Sequence, residues 1–473
     1  MEIGADFLNT PKKIMVVGLG KSGLAAIGLL RQYGHTVSVS DSSTTIDEEQ
    51  LRNLVAQEVW FETGRHSTER FLQQDLILVS PGVPLSLPVL EQSRQAGIPV
   101  IGELALAPIY LKTPVVAVTG TNGKSTVTTL LGDMFSTAGK NVFVGGNIGT
   151  PLAHYLSGDQ GADIAVLEVS SYQLDTGGKF RPDVAVLLNI TPDHLDRYDD
   201  FGAYALSKFR IAGWQSEHDA FVFNHDDPVI VEKFPDHLNC TQYSFGVTDG
   251  PGWNAFIRGS MVVLRDLQKV QGEEEYDLTG SILAEGVNRE NAMAAVLAAR
   301  IMGCPTESIR QAIAAFESLE HRLSQVAEIG GVKFFDDSKA TNIGAVKAAL
   351  SSFDQPVILI AGGRDKEGDF SLLQDIAEKK IKHLVLIGEA GAKIAAALGA
   401  CTGIDFADDM HEAVGLAFRV SEPGDIVLLS PACASFDMYT SYSHRGDVFT
   451  SAVRKLRDTS SGNMVDEALP MNG

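Results

Sequence analysis

Val115-Val116-Ala117-Val118-Thr119-Gly120-Thr121-Asn122-Gly123-Lys124-Ser125-Thr126 sets a lysine, four hydroxyls and two glycines directly behind a valine-rich apolar run. The run predicts a buried strand, and the residues after it predict a turn that opens a helix, the arrangement of a phosphate-binding loop. Backbone N–H groups and the helix N-terminus would face the anion, Lys124 would supply a point charge, and the Ser125 hydroxyl can hold Mg²⁺. Five positions before Gly123 stands Val118, where the common form of this loop has glycine. An ordinary strand-to-helix turn is the alternative. The chemistry expected is that of a nucleoside triphosphate.

Other residues carry weaker signals. Gly18-x-Gly20-x-x-Gly23 follows Ile14-Met15-Val16-Val17, with Asp41 further on. This is the dinucleotide fingerprint, which NAD, a UDP group or no ligand at all would satisfy. Glu168 closes the apolar Ile164–Val169 run, where an open parallel sheet binds ligands, and with Ser125 it makes a sound Mg²⁺ pair. A plain strand-end acid is the alternative. Asn189-Ile190-Thr191-Pro192-Asp193-His194-Leu195-Asp196 repeats the device, with His194 either a ligand or a helix-cap neighbour. Lys208 reads as a surface lysine on composition alone. Asp336-Asp337-Ser338-Lys339-Ala340-Thr341-Asn342 resembles a helix N-terminus capped by acids and serine. Gly362–Lys366 and Ser430–Ser435 sit just past apolar runs, and Cys433 in the latter reads as a packed thiol.

The elements that must position these residues alternate between strand and helix patterns, which predicts parallel sheets. Strand candidates in the first segment are Ile14–Val17, Val37–Asp41 and Leu76–Val79. In the second they are Val115–Thr119, Val142–Val144, Ile164–Val169, Val184–Ile190 and Phe221–Phe223, with antiparallel strands around 250–282 and a helix over Asn288–Met302. In the third they are Val357–Ile360, Leu384–Ile387 and Ile426–Leu429, a doubly wound pattern. The expected architecture is α/β in three domains, 1–112, 113–319 and 320–459, with a disordered polar tail over 460–473.

Over 473 residues, hydrophobic content of 44% and charged content of 21% are those of a soluble globular chain. A formal charge of −22 excludes a general nucleic-acid binder, so anionic ligands must be held by local loops and individual cations. Cys240, Cys304, Cys401 and Cys433 fit neither a disulfide framework nor a zinc pattern, which points to a reducing, cytoplasmic setting. No signal peptide and no membrane-spanning run is evident.

Taken in order, the Gly-Thr-Asn-Gly-Lys-Ser-Thr loop, Leu-Glu-x-Ser-Ser, Asp-His-Leu-Asp, Asn288-x-x-Asn291-Ala and His321-Arg322 resemble the Mur ligase family of ATP-dependent amide-forming enzymes, from about residue 12 to about residue 455. Asp337-Ser-Lys-Ala-Thr-Asn and Ser-Pro-Ala-Cys-Ala-Ser-Phe-Asp look like the branch that joins D-glutamate to UDP-N-acetylmuramoyl-L-alanine. The resemblance implies a Rossmann-like N-terminal UDP-sugar domain, a P-loop-type central ATPase domain and a Rossmann-like C-terminal amino-acid domain. It implies that Gly120, Thr121, Asn122, Gly123, Lys124, Ser125 and Thr126 hold ATP phosphates. Asn288 and Asn291 would lie near adenine, with Arg322 and Asp337 near the α-phosphate and ribose. Two Mg²⁺ sites would draw on Ser125, Glu168, His194 and a carbamylated Lys208. Gly18, Gly20, Ser22, Ser42, Gly82 and Asn147 would surround the UDP-sugar, and Lys339, Thr341, Lys366, Ser435, Phe436 and Tyr442 the D-glutamate. A monomer is the simplest expectation, with domain closure completing the site. Val287 and Ser43 depart from the family, which often has His and Arg there. A sister ligase (folate-type or another Mur ligase), an NAD-dependent oxidoreductase and a non-catalytic nucleotide-regulated binding protein are the competing readings; a folate ligase leaves Gly18–Gly23 without a purpose, and the oxidoreductase leaves Gly120–Thr126 unexplained.

Overall fold

A computed structural model describes residues 3–4, 6–267, 272–284 and 286–466. By contacts they fall into two compact units. The first holds the chain up to Ile190, Gly202–Ala284 and Asn288–Ala315; the second holds Thr191–Phe201 and the chain from Phe316. Each unit is built on parallel sheets, as the strand-helix alternation requires.

The first unit contains two sheets. Strands β1 (Lys13–Val17), β2 (Thr36–Asp41), β3 (Trp60–Thr63), β4 (Leu76–Val79) and β5 (Val100–Gly102) form a parallel sheet in the order β3-β2-β1-β4-β5. The order reverses at β1, which opens a crevice at its carboxyl end. Gly18 lies there with φ +94, a conformation that suits glycine. A Cβ on Gly23 would stand 1.9 Å from the Gly18 carbonyl oxygen. Gly18 and Gly23 are thus required by the close packing of turn and helix, whereas a Cβ on Gly20 would meet nothing within 4 Å.

The second sheet comprises β6 (Val115–Thr119), β7 (Val142–Gly146), β8 (Ile164–Glu168), β9 (Val184–Leu187), β10 (Ala220–Asn224), β11 (Thr241–Phe245), β12 (Ala255–Arg258), β13 (Met261–Leu264) and β14 (Glu274–Asp277). Their order is β14-β13-β12-β11-β10-β9-β6-β8-β7. All pairs are parallel from β7 through β12, and β12–β13 and β13–β14 are antiparallel, as expected for 250–282. Strand β6 is buried along its whole length between β8 and β9, so its residues are apolar without alternation.

In the second unit β15 (Ser324–Ile329), β16 (Val332–Asp336), β17 (Val357–Gly362), β18 (Ile381–Ile387), β19 (Gly403–Phe406) and β20 (Ile426–Leu429) order as β15-β16-β20-β17-β18-β19. Only β15–β16 is antiparallel. Ile426, Leu428, Val357 and Leu359 pack on one face; Val427, Leu429, Ile358 and Ile360 pack on the other. Two covered faces account for the unbroken apolar runs. The backbone of 460–466 continues the last helix, Tyr442–Asp466, where a disordered tail was expected, and 467–473 lie outside the described residues. Among the described residues no helix is long and apolar enough to cross a membrane.

Gly23→Ala should destabilise the first unit by about 1–3 kcal/mol, the usual penalty of overpacking a close-packed site. The expected result is a lower urea midpoint at unchanged slope, read by equilibrium unfolding against wild type.

Candidate active site

The central loop is held open by backbone geometry. Strand β6 ends at Thr119, Gly120 takes φ +155 and Gly123 φ +83, and the helix Lys124–Thr137 begins at once. A Cβ on Gly123 would stand 2.3 Å from Asn291 Oδ1, so only glycine lets the helix Asn288–Ile301 pack against the loop. Asn291, expected near adenine, is therefore at the loop, and its Nδ2 donates to Asn288 Oδ1 at 3.3 Å. Gly123 brings no side-chain cap, which leaves the positive end of the helix dipole facing outward.

Asn189, beyond β9, fixes the loop. Its carbonyl accepts from Thr121 N at 2.9 Å and its Oδ1 accepts from Asn122 N at 2.8 Å. Its Nδ2 donates back to the Asn122 carbonyl at 3.2 Å. The sequence reading gave this residue no role. The signal was an amide just past a strand that neighbours β6.

Two lysines converge on one carbonyl. Lys124 Nζ donates to Gly120 O at 2.9 Å and Thr121 O at 2.7 Å, and Lys208 Nζ donates to Gly120 O at 3.0 Å. Lys208 is not a surface residue, being only 1% exposed. Its ammonium lies 4.5 Å from the centre of the Tyr204 ring, whose hydroxyl is 3.0 Å from Thr121 Oγ1. A buried lysine beside a phosphate loop is a chemical feature that composition could not disclose.

At the end of β8, Glu168 is buried and meets the loop helix. Ser125 Oγ donates to its Oε2 at 2.5 Å and Asn147 Nδ2 to its Oε1 at 2.7 Å. Asn147, expected around the UDP-sugar, thus lies against the carboxylate of the predicted metal pair. Hydroxyl, carboxylate and amide oxygens suit Mg²⁺, which keeps waters and takes phosphate oxygens in place of a full protein cage. No group of three His, Cys, Asp or Glu side chains able to cage a metal occurs among the described residues, in keeping with so open a donor set.

In the N-terminal sheet Asp41 carries backbone amides. Its Oδ2 accepts from Leu19 N at 2.6 Å and its Oδ1 from Ser43 N at 2.7 Å. The fingerprint acid thus shapes the Gly18–Gly20 turn and the Ser42 turn together. Gly18, Gly20, Ser22, Ser42 and Gly82 all belong to this unit, at or just past the strand ends and in the first turn of the helix that follows.

The second unit gathers the remaining candidates. His194 belongs to this unit, with φ +57, and Lys208 to the first. Beside it Asp193 Oδ1 accepts from Lys366 Nζ at 3.2 Å and from His194 N at 2.9 Å, and Oδ2 accepts from Asn342 Nδ2 at 3.0 Å. Burial works to raise the Asp193 carboxyl, but the charges of Lys366 and His194 and the bonds from Lys366 and Asn342 hold it below the usual carboxylate range. Asn342 also caps the helix Ile343–Ser351 by accepting from Ala345 N at 2.8 Å. The cap expected from acids and serine is therefore this amide, while Asp336 and Asp337 turn inward.

Asp337 accepts from Ser430 Oγ at 2.9 Å and from Leu323 N at 3.3 Å. Burial pushes its carboxyl up to about 7, against the Ser430 bond, the Arg322 charge and the Leu323 bond, with Asp336 adding to the rise. Lys339 Nζ sits 3.8 Å from the centre of the Tyr442 ring. Ser435 is buried just past β20, Phe436 is 63% exposed, and Thr341 N donates to Lys339 O at 2.8 Å. Burial pushes the Cys433 thiol up to about 12, as befits the packed thiol expected.

Comparison with known proteins bears on the whole chain. Three family models match, the Mur ligase MurD-like N-terminal domain over 12–102, the Mur ligase middle domain over 118–299 and the Mur ligase glutamate ligase domain over 321–433. The UDP-N-acetylmuramoylalanine–D-glutamate ligase of Desulfosudis oleivorans is 44% identical over 451 residues, 94% of this chain and 97% of its own. That of Geotalea uraniireducens is 42% identical over 458 residues, 96% and 99% of the two chains. The MurF ligase of Thermotoga maritima, solved in complex with ADP, shares the fold with a TM-score of 0.58 at 17% identity, over 95% of this chain and 99% of its own.

Asp337 gives a pH test with a definite sign. Its folded value lies above the unfolded one, so the unfolded chain releases its proton first and stability falls as pH rises from about 4 to about 7. The full effect is on the order of 4 kcal/mol. Asp337→Asn should flatten that fall, whatever its absolute stability, in urea unfolding across the same pH range.

Proposed function

This chain belongs to the Mur ligase family, and from that premise we propose that it joins D-glutamate to UDP-N-acetylmuramoyl-L-alanine, with ATP cleaved to ADP and phosphate, in cytoplasmic synthesis of a peptidoglycan precursor. The observation that carries the reading is the Gly120–Ser125 loop, with two lysines on one carbonyl and Ser125 on Glu168, in a chain whose near-full-length relatives bear that activity's name. Residues 1–112 take the UDP-sugar, 113–319 the ATP and 320–459 the amino acid.

The reaction needs two anions to meet. The L-alanine carboxylate of the UDP-sugar attacks the γ-phosphorus, the bond to the β-phosphate oxygen breaks, and ADP leaves an acyl phosphate. Lys124 and the amides of Gly120–Thr126 take the phosphate charge, and the dipole of the fourteen-residue helix behind them favours it further. Ser125 and Glu168 would hold Mg²⁺, with His194 and Lys208 at a second ion; bound there, the ions neutralise phosphate charge. Carbamylation of Lys208 would leave one N–H on Nζ, enough to keep its bond to the Gly120 carbonyl. The D-glutamate amine then attacks the acyl carbon and phosphate departs. Lys339, Thr341, Lys366, Ser435, Phe436 and Tyr442 hold that amino acid, Asn288 and Asn291 the adenine side, Arg322 and Asp337 the α-phosphate and ribose. Gly18, Gly20, Ser22, Ser42, Gly82 and Asn147 serve the UDP-sugar.

The deciding experiment is mass spectrometry of reactions with ATP, Mg²⁺, UDP-N-acetylmuramoyl-L-alanine and one amino acid at a time. A glutamyl adduct formed only with D-glutamate, matched by ADP and phosphate, is expected. An adduct with another amino acid would refute the D-glutamate assignment, and none with any would refute the ligase reading for this acceptor. Lys208→Ala should lower kcat on the order of 100-fold, the scale of one lost electrostatic group, with partial recovery in formate or acetate. Full activity without added carboxylate would exclude the carbamate.

A further inference from the structure

Arg445 is the largest fully buried side chain among the described residues, at 0% exposure, and neither the sequence reading nor the mechanism above uses it. It stands in the first turn of the helix Tyr442–Asp466. Among the described residues it forms no ion pair. Its partners are neutral oxygens on two strand ends: Nη2 donates to Ser338 O at 2.8 Å, Nε to Ser338 Oγ at 3.0 Å and Nη1 to Cys433 O at 3.1 Å. Ser338 Oγ in turn donates to Tyr442 O at 2.8 Å. A third strand end closes over the guanidinium, where a Cβ on Gly363 would stand 3.1 Å from Nη1 and 2.3 Å from Ala434 O. The next residue, Arg364, exchanges backbone bonds with Ala434 at 2.8 and 3.0 Å.

These three points are the carboxyl ends of β16, β20 and β17, which lie side by side in the sheet. Each carries a residue of the amino-acid half-site shortly after its anchor: Lys339 follows Ser338, Ser435 follows Cys433, and Lys366 follows Gly363. Gly446 adds a constraint on the same turn, because a Cβ there would stand 2.1 Å from His321 Nδ1 and 2.8 Å from Asp336 Oδ2.

We propose that Arg445 is a positioning residue for the incoming amino acid, a buried guanidinium that bonds two loop ends and packs against a third so that Lys339, Ser435 and Lys366 face a dicarboxylate together. The inference rests on the functional reading above for the identity of that amino acid. Only a planar fork with donors in fixed directions spans Ser338 and Cys433; a lysine in its place keeps the charge but reaches one cluster of acceptors. Burial pushes the guanidinium down to about 10, so it stays charged at neutral pH. Its field adds to that of Lys339 and Lys366 in favour of an anionic amino acid, without contact with it.

Steady-state kinetics of the full chain carrying Arg445→Lys tests this. The KM for D-glutamate should rise about tenfold, the effect of one lost charged hydrogen bond, while those for ATP and the UDP-sugar stay within about twofold. Hydrogen exchange should quicken in peptides covering 336–342, 362–366 and 431–436 and not in the core strand β18. Ser338→Ala, which removes one acceptor and leaves the arginine, should raise the same KM about threefold and serves if Arg445→Lys does not fold. An unchanged D-glutamate KM, equal rises in all three KM values, or a fall in kcat alone would overturn the proposal. If the wild-type chain uses another amino acid, the functional reading fails, and the same comparison on that amino acid's KM still decides the role of Arg445.

Discussion

The carbonyl of Gly120 marks the place on which the first unit's chemistry depends. Strand β6 is buried on both faces, so its direction and depth are fixed by neighbours on either side. Where it ends, the chain must turn into a helix within four residues, and only glycine at 120 and 123 permits that turn against Leu188 and Asn291. The turn leaves a carbonyl facing inward, and a carbonyl inside a protein requires donors. Lys124 and Lys208 supply them, which places two lysine nitrogens at the mouth of a helix that already favours anions. The position of both lysines at the loop thus follows from backbone satisfaction.

The same strand-end logic operates in the second unit with different means. There the loops after β16, β20 and β17 have left the sheet, and only isolated backbone bonds hold them, as where Arg364 and Ala434 pair and Ala432 N donates to Ala340 O. Asn342 and Asp193 tie one pair of segments, and the Arg445 guanidinium bonds two strand ends and lies against a third at Gly363. Buried polar links of this kind suit conformational uniqueness better than raw stability, because a partly satisfied network is worse than none.

Much of this was legible in the residues. Unbroken valine and isoleucine runs marked β1, β4, β6, β8, β9, β17, β18 and β20, since interior parallel strands are apolar on both faces. Strands β3, β5, β15 and β19 escaped because each lies at a sheet edge and none carries an unbroken apolar run of four residues. Strand β11 escaped although interior, because Gln242 and Ser244 interrupt its pattern. The phosphate loop was legible because glycine, lysine and serine have local reasons to stand at fixed spacing. Lys208, Asn189 and Arg445 were not, because each acts on backbone far away in sequence, and nothing near them in the chain announces the partner. Asn147 and His194 were legible as polar residues past strands; which groups they accompany depended on the packing.

Three buried ionic groups in the second unit show why charge type alone does not predict state. Asp193 stays ionised because Lys366 and Asn342 supply what water would. Asp337, equally enclosed, has a hydroxyl and one amide in direct contact and moves toward protonation. Arg445 has only neutral oxygens, yet remains a cation, because its ordinary value lies so far above neutral pH that burial cannot bring it down far enough. The chain as a whole carries −22, so its long-range field opposes the anionic molecules it is read to bind. Screening by salt confines that field to about 8–10 Å in solution, whereas buried cations act through a medium that screens them far less. Recognition of anions by so acidic a protein is therefore a short-range matter, settled by the few cations that the strand ends bury.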